Sequence, residues 1–172
     1  DLSNGLIISQ LYRISVAQTS DNDIIAGLQD NGTKSMISGV WTDVLGADGM
    51  DCGIDYMAEV VQYGSKQNGD LYRTTNHWSS YTYISHTLPS GVWVTPFLID
   101  PNRHNTIYFA PAYNLYKSRN RGDTWDRIGF FPGGDIWAID VAPSNSEYIY
   151  AAKTDAIYKT ENGGDTWSDI TG

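Results

Sequence analysis

Two short acidic segments contain the residue types that bind cations or cleave glycosidic bonds. The first is Gln29-Asp30-Asn31, and the second contains Asp48 and Asp51. Carboxylate and amide oxygens are the ligands of Ca²⁺, so Asp30, Asn31, Asp48 and Asp51 could form a calcium site centred on Asp48 and Asp51. Paired carboxylates are also the catalytic unit of glycosidases, which makes Asp30 and Asp48 candidates for acid and base. In a third alternative, these residues only form turns, because Asp-Asn-Gly and Ala-Asp-Gly favour turn geometry.

Three aromatic residues are candidates for stacking on sugar rings: Trp93, Tyr113 and Trp137. Gln67, Asn68 and Asn114 are the hydrogen-bonding partners that such a site would use. The alternative is that the three rings fill space between packed sheets, and the usual use of aromatic side chains favours it.

Composition excludes several classes of function. The net charge of −9 argues against binding to a nucleic-acid backbone and is compatible with neutral ligands or cations. No apolar run approaches the ~18 residues of a membrane-spanning helix. His77, His86 and His104 lack the spacing of a metal site, and Cys52, the only cysteine, is expected to be a small buried residue.

A repeat of about 42 residues positions all of these side chains. The segments Asn114–Trp125 and Ala156–Trp167 share Tyr-Lys, Asn and Gly-Asp-Thr-Trp, and Pro101 and Pro143 recur at the same offset. A third copy, beginning at Asp70-Leu-Tyr-Arg-Thr-Thr-Asn, lacks Gly-Asp-Thr and has Trp78 early. The first copy is recognisable only in outline, at 23–27 and 41–45.

Each repeat is predicted to form four short strands. In the last repeat these are Ile136–Val141, Tyr148–Ala152, Ala156–Thr160 and Trp167–Ile170, separated by turn residues. Four strands per repeat predict an all-β fold, a β-propeller of about four four-stranded blades. We expect one domain, 1–172, with blades at approximately 10–46, 47–86, 90–131 and 134–172.

The first residues bear on whether the ring is complete. The segment Asp1-Leu-Ser-Asn-Gly5 looks like the tail of a fourth strand, as Asp169-Ile-Thr-Gly172 does. We therefore expect part of a larger ring, with the remainder of the propeller or another chain as partner. A closed four-bladed ring is the alternative.

The segments Ser118–Trp125 and Thr160–Trp167 resemble the Asp-box, or BNR repeat, with Asn in place of the usual Asp. The resemblance implies a structural turn between the third and fourth strands of a blade, at the rim and away from the ligand face. Its residues are Ser118, Asn120, Gly122, Thr124 and Trp125, then Thr160, Asn162, Gly164, Thr166 and Trp167.

A second resemblance involves Gly5–Tyr12, Gly27–Thr33 and Gly46–Asp51. These segments look like exported surface propeller proteins of Bacteroidetes-type bacteria, which are called sortilin-like or glycosyl-hydrolase-like. The resemblance implies a secreted or cell-surface module that recognises a polysaccharide or a surface protein, or serves as a scaffold. The alternative is part of a glycoside hydrolase, with a xyloglucanase- or sialidase-like propeller.

Overall fold

The protein, described over residues 9–172 by a computed structural model, consists of four antiparallel four-stranded sheets. The first contains β1 (Leu11–Val16), β2 (Ile24–Leu28), β3 (Gly32–Ile37) and β4 (Val40–Leu45). The second contains β5 (Gly49–Ile54), β6 (Gln62–Lys66), β7 (Leu71–Thr74) and β8 (Thr82–Tyr83). The third contains β9 (Phe97–Ile99), β10 (Ile107–Phe109), β11 (Asn114–Ser118) and β12 (Asp126–Phe130). The fourth contains β13 (Ala138–Val141), β14 (Ile149–Ala152), β15 (Ile157–Thr160) and β16 (Ser168–Asp169).

In each sheet the spatial order of the strands is their order in the chain. The first strands of successive sheets contact one another, β1 with β5, β5 with β9, and β9 with β13, so they lie innermost. The sheets are thus blades around an axis, and the prediction of an all-β propeller with four four-stranded blades is confirmed. Over residues 9–172 the blades do not close into a ring.

The predicted strands of the last repeat begin or end one or two residues beyond the observed ones. Ile136 and Trp167, for example, lie just outside β13 and β16. The strand expected within the first five residues lies outside the described part of the chain, as does the first half of Gly5–Tyr12. Within the described part, no helix has the length and hydropathy needed to cross a membrane.

Three apolar clusters fill the three spaces between blades. Ile25 of the first blade packs on Cys52 and Ile54 of the second, and Cys52 is buried as expected. The second cluster joins blades two and three through Tyr63, Leu71, Phe97, Ile107 and Phe109. The third joins blades three and four through Tyr108, Leu115, Phe131, Val141 and Ile149. The core therefore lies between sheets, and each blade is stabilised by its neighbours.

Buried carboxylates at the turns between first and second strands reinforce these contacts. Asp55 is fully buried, and its Oδ2 lies 2.9 Å from Nη2 of Arg121 and 3.0 Å from Nδ1 of His104, both in the next blade. Asp100 accepts a hydrogen bond from Ser146 of the fourth blade over 2.7 Å. A buried carboxylate needs such partners, since an unpaired charge in the interior is costly.

The turns that follow the third strands of blades three and four have one hydrogen-bond pattern. The Ser118 hydroxyl accepts from the amide of Gly122 at 2.7 Å, and Oδ1 of Asn120 accepts from the amide of Thr124 at 2.9 Å. In the fourth blade, Thr160 accepts from Gly164 at 3.1 Å, and Asn162 accepts from Thr166 at 3.0 Å. The turns are thus closed by their own side chains.

The third copy of this turn, which the sequence suggests is degenerate, keeps the same hydrogen bonds. Thr74 accepts from the amide of Trp78 at 2.9 Å, and Oδ1 of Asn76 accepts from the amide of Ser80 at 2.9 Å. Trp78 therefore stands in the place of Gly122, with φ of 62° against 96°. The Gly-Asp-Thr letters are absent from this copy, as the sequence shows, and the side-chain oxygens of Thr74 and Asn76 close the turn without them.

We expect Asp55→Ala to lower the free energy of unfolding by about 3–5 kcal/mol, because it leaves the Arg121 guanidinium without its buried partner. Urea unfolding measures this. The matched control is Asp126→Ala, whose carboxylate pairs with Arg119 on the surface, and which we expect to cost about 1 kcal/mol or less. Similar losses in the two variants would contradict the assignment of Asp55 as an interblade clamp.

Candidate functional site

The predicted ligand residues lie on one face of the propeller. We call it the link face, since it is formed by the turns between second and third strands and by the links between blades. Asp30 lies in the β2–β3 turn, and Asp48 lies in the link from β4 to β5. Trp93 and Trp137 lie in the next two links, and Tyr113 in the β10–β11 turn. The Ser118 and Thr160 turns lie on the opposite face, because successive strands are antiparallel.

The structure brings the two acidic segments together. Oδ1 of Asp48 accepts a hydrogen bond from the backbone amide of Asp30 over 2.6 Å. The amide of Asp48 in turn donates to Oε1 of Gln67 at 3.3 Å. Asp30 has a φ of 58°, and Asn31 donates to the carbonyl of Gln29 at 3.1 Å. Hydrogen bonds of this kind stabilise turns, and here they also connect the first two blades.

Asp51 faces a different environment. It lies within β5, and its two carboxylate oxygens accept from the amides of Cys52 at 2.9 Å and Phe97 at 3.2 Å. Over residues 9–172, no three His, Cys, Asp or Glu side chains are grouped so that they could hold a metal ion. The set proposed from sequence for calcium is therefore not assembled around one point.

Burial raises the pKa of Asp51 to about 6, against the lowering effect of the Phe97 amide and the Arg13 charge. Removing a carboxylate from water disfavours its charged form, and two amide donors offset that cost only in part. A carboxyl that titrates near neutrality in a cleft is a common feature of binding and catalytic sites.

A cleft of about 210 Å³ opens beside Asp51, near the axis of the propeller. Each of the four blades or their links contributes to it: Arg13 from β1, Asp51 from β5, Phe97 from β9 and Trp137 next to β13. Val94, Pro96, Ala138 and Ile139 complete the lining. We call this the axial cleft. It combines an acceptor, a cationic donor and an exposed indole within one concave surface.

The expectation that Trp93, Tyr113 and Trp137 pack between blades is wrong. They are 47%, 43% and 54% exposed. All three belong to links or turns, which end at the face, whereas the interblade space is filled by strand residues. Trp93 donates through Nε1 to the hydroxyl of Tyr12 at 3.2 Å, which connects the second link to the first blade.

The polar partners expected for these rings are placed differently. Asn114 is buried within β11 and is not available to a ligand. Gln67 accepts from the Asp48 amide, and the backbone of Asn68 is bonded to Trp93 and Gly91. Arg13, which sequence reasoning did not single out as a ligand residue, lines the axial cleft. Arg13 is the only charged residue of β1, and this feature of the sequence could have identified it as a candidate ligand residue.

Taken together, fold and face define a β-propeller with an axial cleft on its link face.

No family model and no curated protein matches the chain in sequence. Solved structures match it in fold. An ancestral GH74 enzyme has a TM-score of 0.80 at 16% identity over 95% of this chain. The GH74 xyloglucanase from Xanthomonas campestris has 0.77 at 13% identity, also over 95%.

A third similar structure is the extracellular domain of a one-component system from B. thetaiotaomicron, with a TM-score of 0.73 and 12% identity over 95% of this chain. The chain spans only 24%, 31% and 22% of these three proteins, respectively. At such identities the similarity establishes the propeller fold and leaves the activity to be argued from the site.

We expect the carboxyl of Asp51 to titrate with a pKa of about 6. A pH titration followed by carbon NMR measures it, and the Asp51→Asn variant identifies the carboxyl resonance of Asp51. The folded pKa lies above the unfolded value of about 3.9, so the folded chain binds this proton more tightly. Asp51 therefore contributes stability that is fully present below pH of about 4 and is lost as the pH rises through about 6. A carboxyl resonance with its midpoint near about 4 would refute the environment described for Asp51.

Proposed function

We propose that this chain is part of an extracellular or cell-surface recognition module that binds a glycan in the axial cleft of a β-propeller. The observation that carries the proposal is the composition of the cleft, in which Trp137, Asp51 and Arg13 line one concave surface. An indole face stacks on a sugar ring, while a carboxylate and a guanidinium hydrogen-bond to its hydroxyl groups.

The size of the cleft limits what it holds. Its volume of about 210 Å³ is below the ~300–1,000 Å³ of sites for drug-sized ligands, so it accommodates one small group, such as a single sugar unit. Trp93 and Tyr113 are exposed on the same face and offer further stacking surfaces to a longer chain. A glycan is favoured over a protein partner because flat aromatic side chains beside polar groups match sugar units repeated along a chain.

We also propose that the repeats are of the Asp-box type, with blade boundaries close to 10–46, 47–86, 90–131 and 134–172. The side-chain bonds of the Ser118, Thr160 and Thr74 turns support a purely structural role for these residues. Their oxygens are engaged within the turn, and they lie on the face opposite the cleft. An extracellular location is supported by the sequence resemblance and by one similar structure, which is an extracellular domain.

A second candidate function is hydrolysis of a polysaccharide by a larger protein that contains this chain. It is favoured by the adjacency of Asp30 and Asp48 and by two similar structures that are GH74 enzymes. In this alternative the two carboxylates act as acid and base.

The hydrolase alternative predicts that Asp48→Asn abolishes release of reducing ends from polysaccharides such as xyloglucan. The control is Asp21→Asn, an exposed residue on the opposite face. Equal turnover by wild type and Asp48→Asn would exclude Asp48 as a catalytic residue. Absence of turnover in the wild-type chain, combined with glycan binding, would leave the recognition module as the function.

For the recognition module, we expect Trp137→Ala to lower the affinity for a glycan by about tenfold, because stacking on an aromatic face is worth about 0.5–1.5 kcal/mol beyond area burial. A broad glycan array identifies the ligand, and calorimetry gives the dissociation constants. Tyr81→Ala is the matched control, since Tyr81 is 53% exposed but lies on the opposite face. The proposal fails if no glycan binds, or if both variants lose affinity equally.

A further inference from the structure

The junction between blades two and three contains buried hydrogen-bond donors that the chain leaves unpaired. They are the hydroxyl of Tyr63 and the Nε atoms of Arg73 and Arg121. Over residues 9–172, five buried side-chain polar atoms have no hydrogen-bond partner, and three of them belong to this one junction. A buried donor without an acceptor is costly, so three at one junction indicate an acceptor that is not part of the chain.

The fold brings these three donors together. Tyr63 of β6 and Arg73 of β7 stand directly opposite each other in the register of blade two, so both side chains extend from the same face of the sheet. That face packs on blade three, where the ring of Phe97 lies 5.1 Å from the ring of Tyr63. Arg121 reaches the same place from blade three, and its carbonyl accepts from Nη1 of Arg73 at 2.8 Å. Burial raises the pKa of the Tyr63 hydroxyl, and the nearby charges of Arg121 and Arg73 oppose that rise.

The acceptors of this junction already have partners. Oδ1 of Asp55 accepts from the amide of Met57 at 2.9 Å, and Oδ2 accepts from Nη2 of Arg121 at 2.9 Å. Oδ1 of Asp123 accepts from Nη1 of Arg73 at 2.9 Å. The unpaired groups are therefore all donors. A water molecule brings two hydrogens that need acceptors of their own, whereas an anion only accepts, so the set of donors favours an anion.

The charge of the junction also favours an anion. The side chains of Arg73 and Arg121 are 13% and 26% exposed, and that of Asp55 is fully buried. Asp123 is 61% exposed, so solvent and salt screen its charge. Two mostly buried cations against one buried carboxylate leave one positive charge, and a charge in the interior needs a counter-charge. Protonation of His104, which contacts Asp55, would only increase this excess.

We propose that the junction between blades two and three binds one small monovalent anion of the halide class, such as chloride, through Tyr63, Arg73 and Arg121. One negative charge balances the excess, and a single-atom ion accepts from a hydroxyl and two guanidinium N–H groups at once. The ion then connects two side chains of blade two to one of blade three, beside the ion pair of Asp55 with Arg121. Arg121 belongs to the Ser118 turn, on the face opposite the axial cleft, so the inference is independent of glycan binding.

Thermal unfolding in sodium chloride and in sodium gluconate of equal ionic strength tests the inference. An ion that binds only the folded chain stabilises it by mass action, and the effect saturates as the salt concentration increases. A dissociation constant of about 10 mM multiplies the folding equilibrium constant about twentyfold at about 200 mM chloride, which corresponds to a Tm about 4–7 °C higher than in gluconate. Tyr63→Phe keeps the ring and removes one donor, and we expect it to lose most of this chloride-specific increase.

Tyr108→Phe is the matched control, because Tyr108 is also fully buried but its hydroxyl donates to Oδ2 of Asp100 at 3.0 Å. We expect this variant to have a lower Tm in both salts and to keep the chloride-specific increase. Chlorine NMR gives a direct measurement, since the wild-type chain is expected to broaden the chloride line more than Tyr63→Phe does.

Two results would overturn the inference. The first is an equal Tm of the wild-type chain in the two salts, which is the result expected if water satisfies the three donors. The second is a chloride-specific increase, or a broadening of the chloride line, that Tyr63→Phe retains in full.

Discussion

A four-stranded blade in this protein is apolar on both faces, and this single property constrains the rest of the structure. A sheet that is polar on one face can end there, but a blade such as the second, with Ile54 on one side and Tyr63 on the other, must be packed between two neighbours. The clusters between blades are therefore the hydrophobic core, and no blade has a core of its own. The tryptophan and the glycine of the Ser118 and Thr160 turns meet the same requirement, because both pack on the preceding blade. A Cβ on Gly122 would lie 2.5 Å from Cδ1 of Ile84, so the backbone itself packs on the preceding blade.

The same constraint divides the two ends of the propeller into different chemical surfaces. On the side of the Ser118 and Thr160 turns, side-chain oxygens are used to close the turns, and carboxylates such as Asp55 are used to join blades. Little hydrogen-bonding capacity remains there for a ligand. On the link face, the innermost strands of the four blades begin beside one another and line the axial cleft. Aromatic side chains in the links remain exposed, and a concave surface forms between strands of different blades.

Asp51 illustrates how position in the ring changes the chemistry of a residue. Asp30, Asp48 and Asp51 look equivalent in the sequence, as members of two acidic turns. In the fold, Asp48 accepts from a turn amide, whereas Asp51 is drawn into the space between the first strands of blades two and three. Burial raises its pKa to about 6, and the Arg13 charge comes from the first blade. The burial of Asp51 and its proximity to Arg13 cannot be predicted from the sequence, because both depend on how the blades are arranged around one axis.

The sequence alone determined the architecture, because the repeat of about 42 residues, its turn residues and its alternating strands are local features. The alternating direction of antiparallel strands also means that the β2–β3 turn with Asp30 and the β4–β5 link with Asp48 end on the same face. The sequence could not distinguish Trp93, Tyr113 and Trp137 from core residues, because the residue type alone does not show whether an aromatic ring is exposed in a link or buried in a strand. It could not show that Trp78 completes a turn in place of a glycine, nor that Asn114 is buried. Those outcomes depend on which surface the neighbouring blade covers, and that contact between residues about 40 positions apart is made only in the tertiary structure.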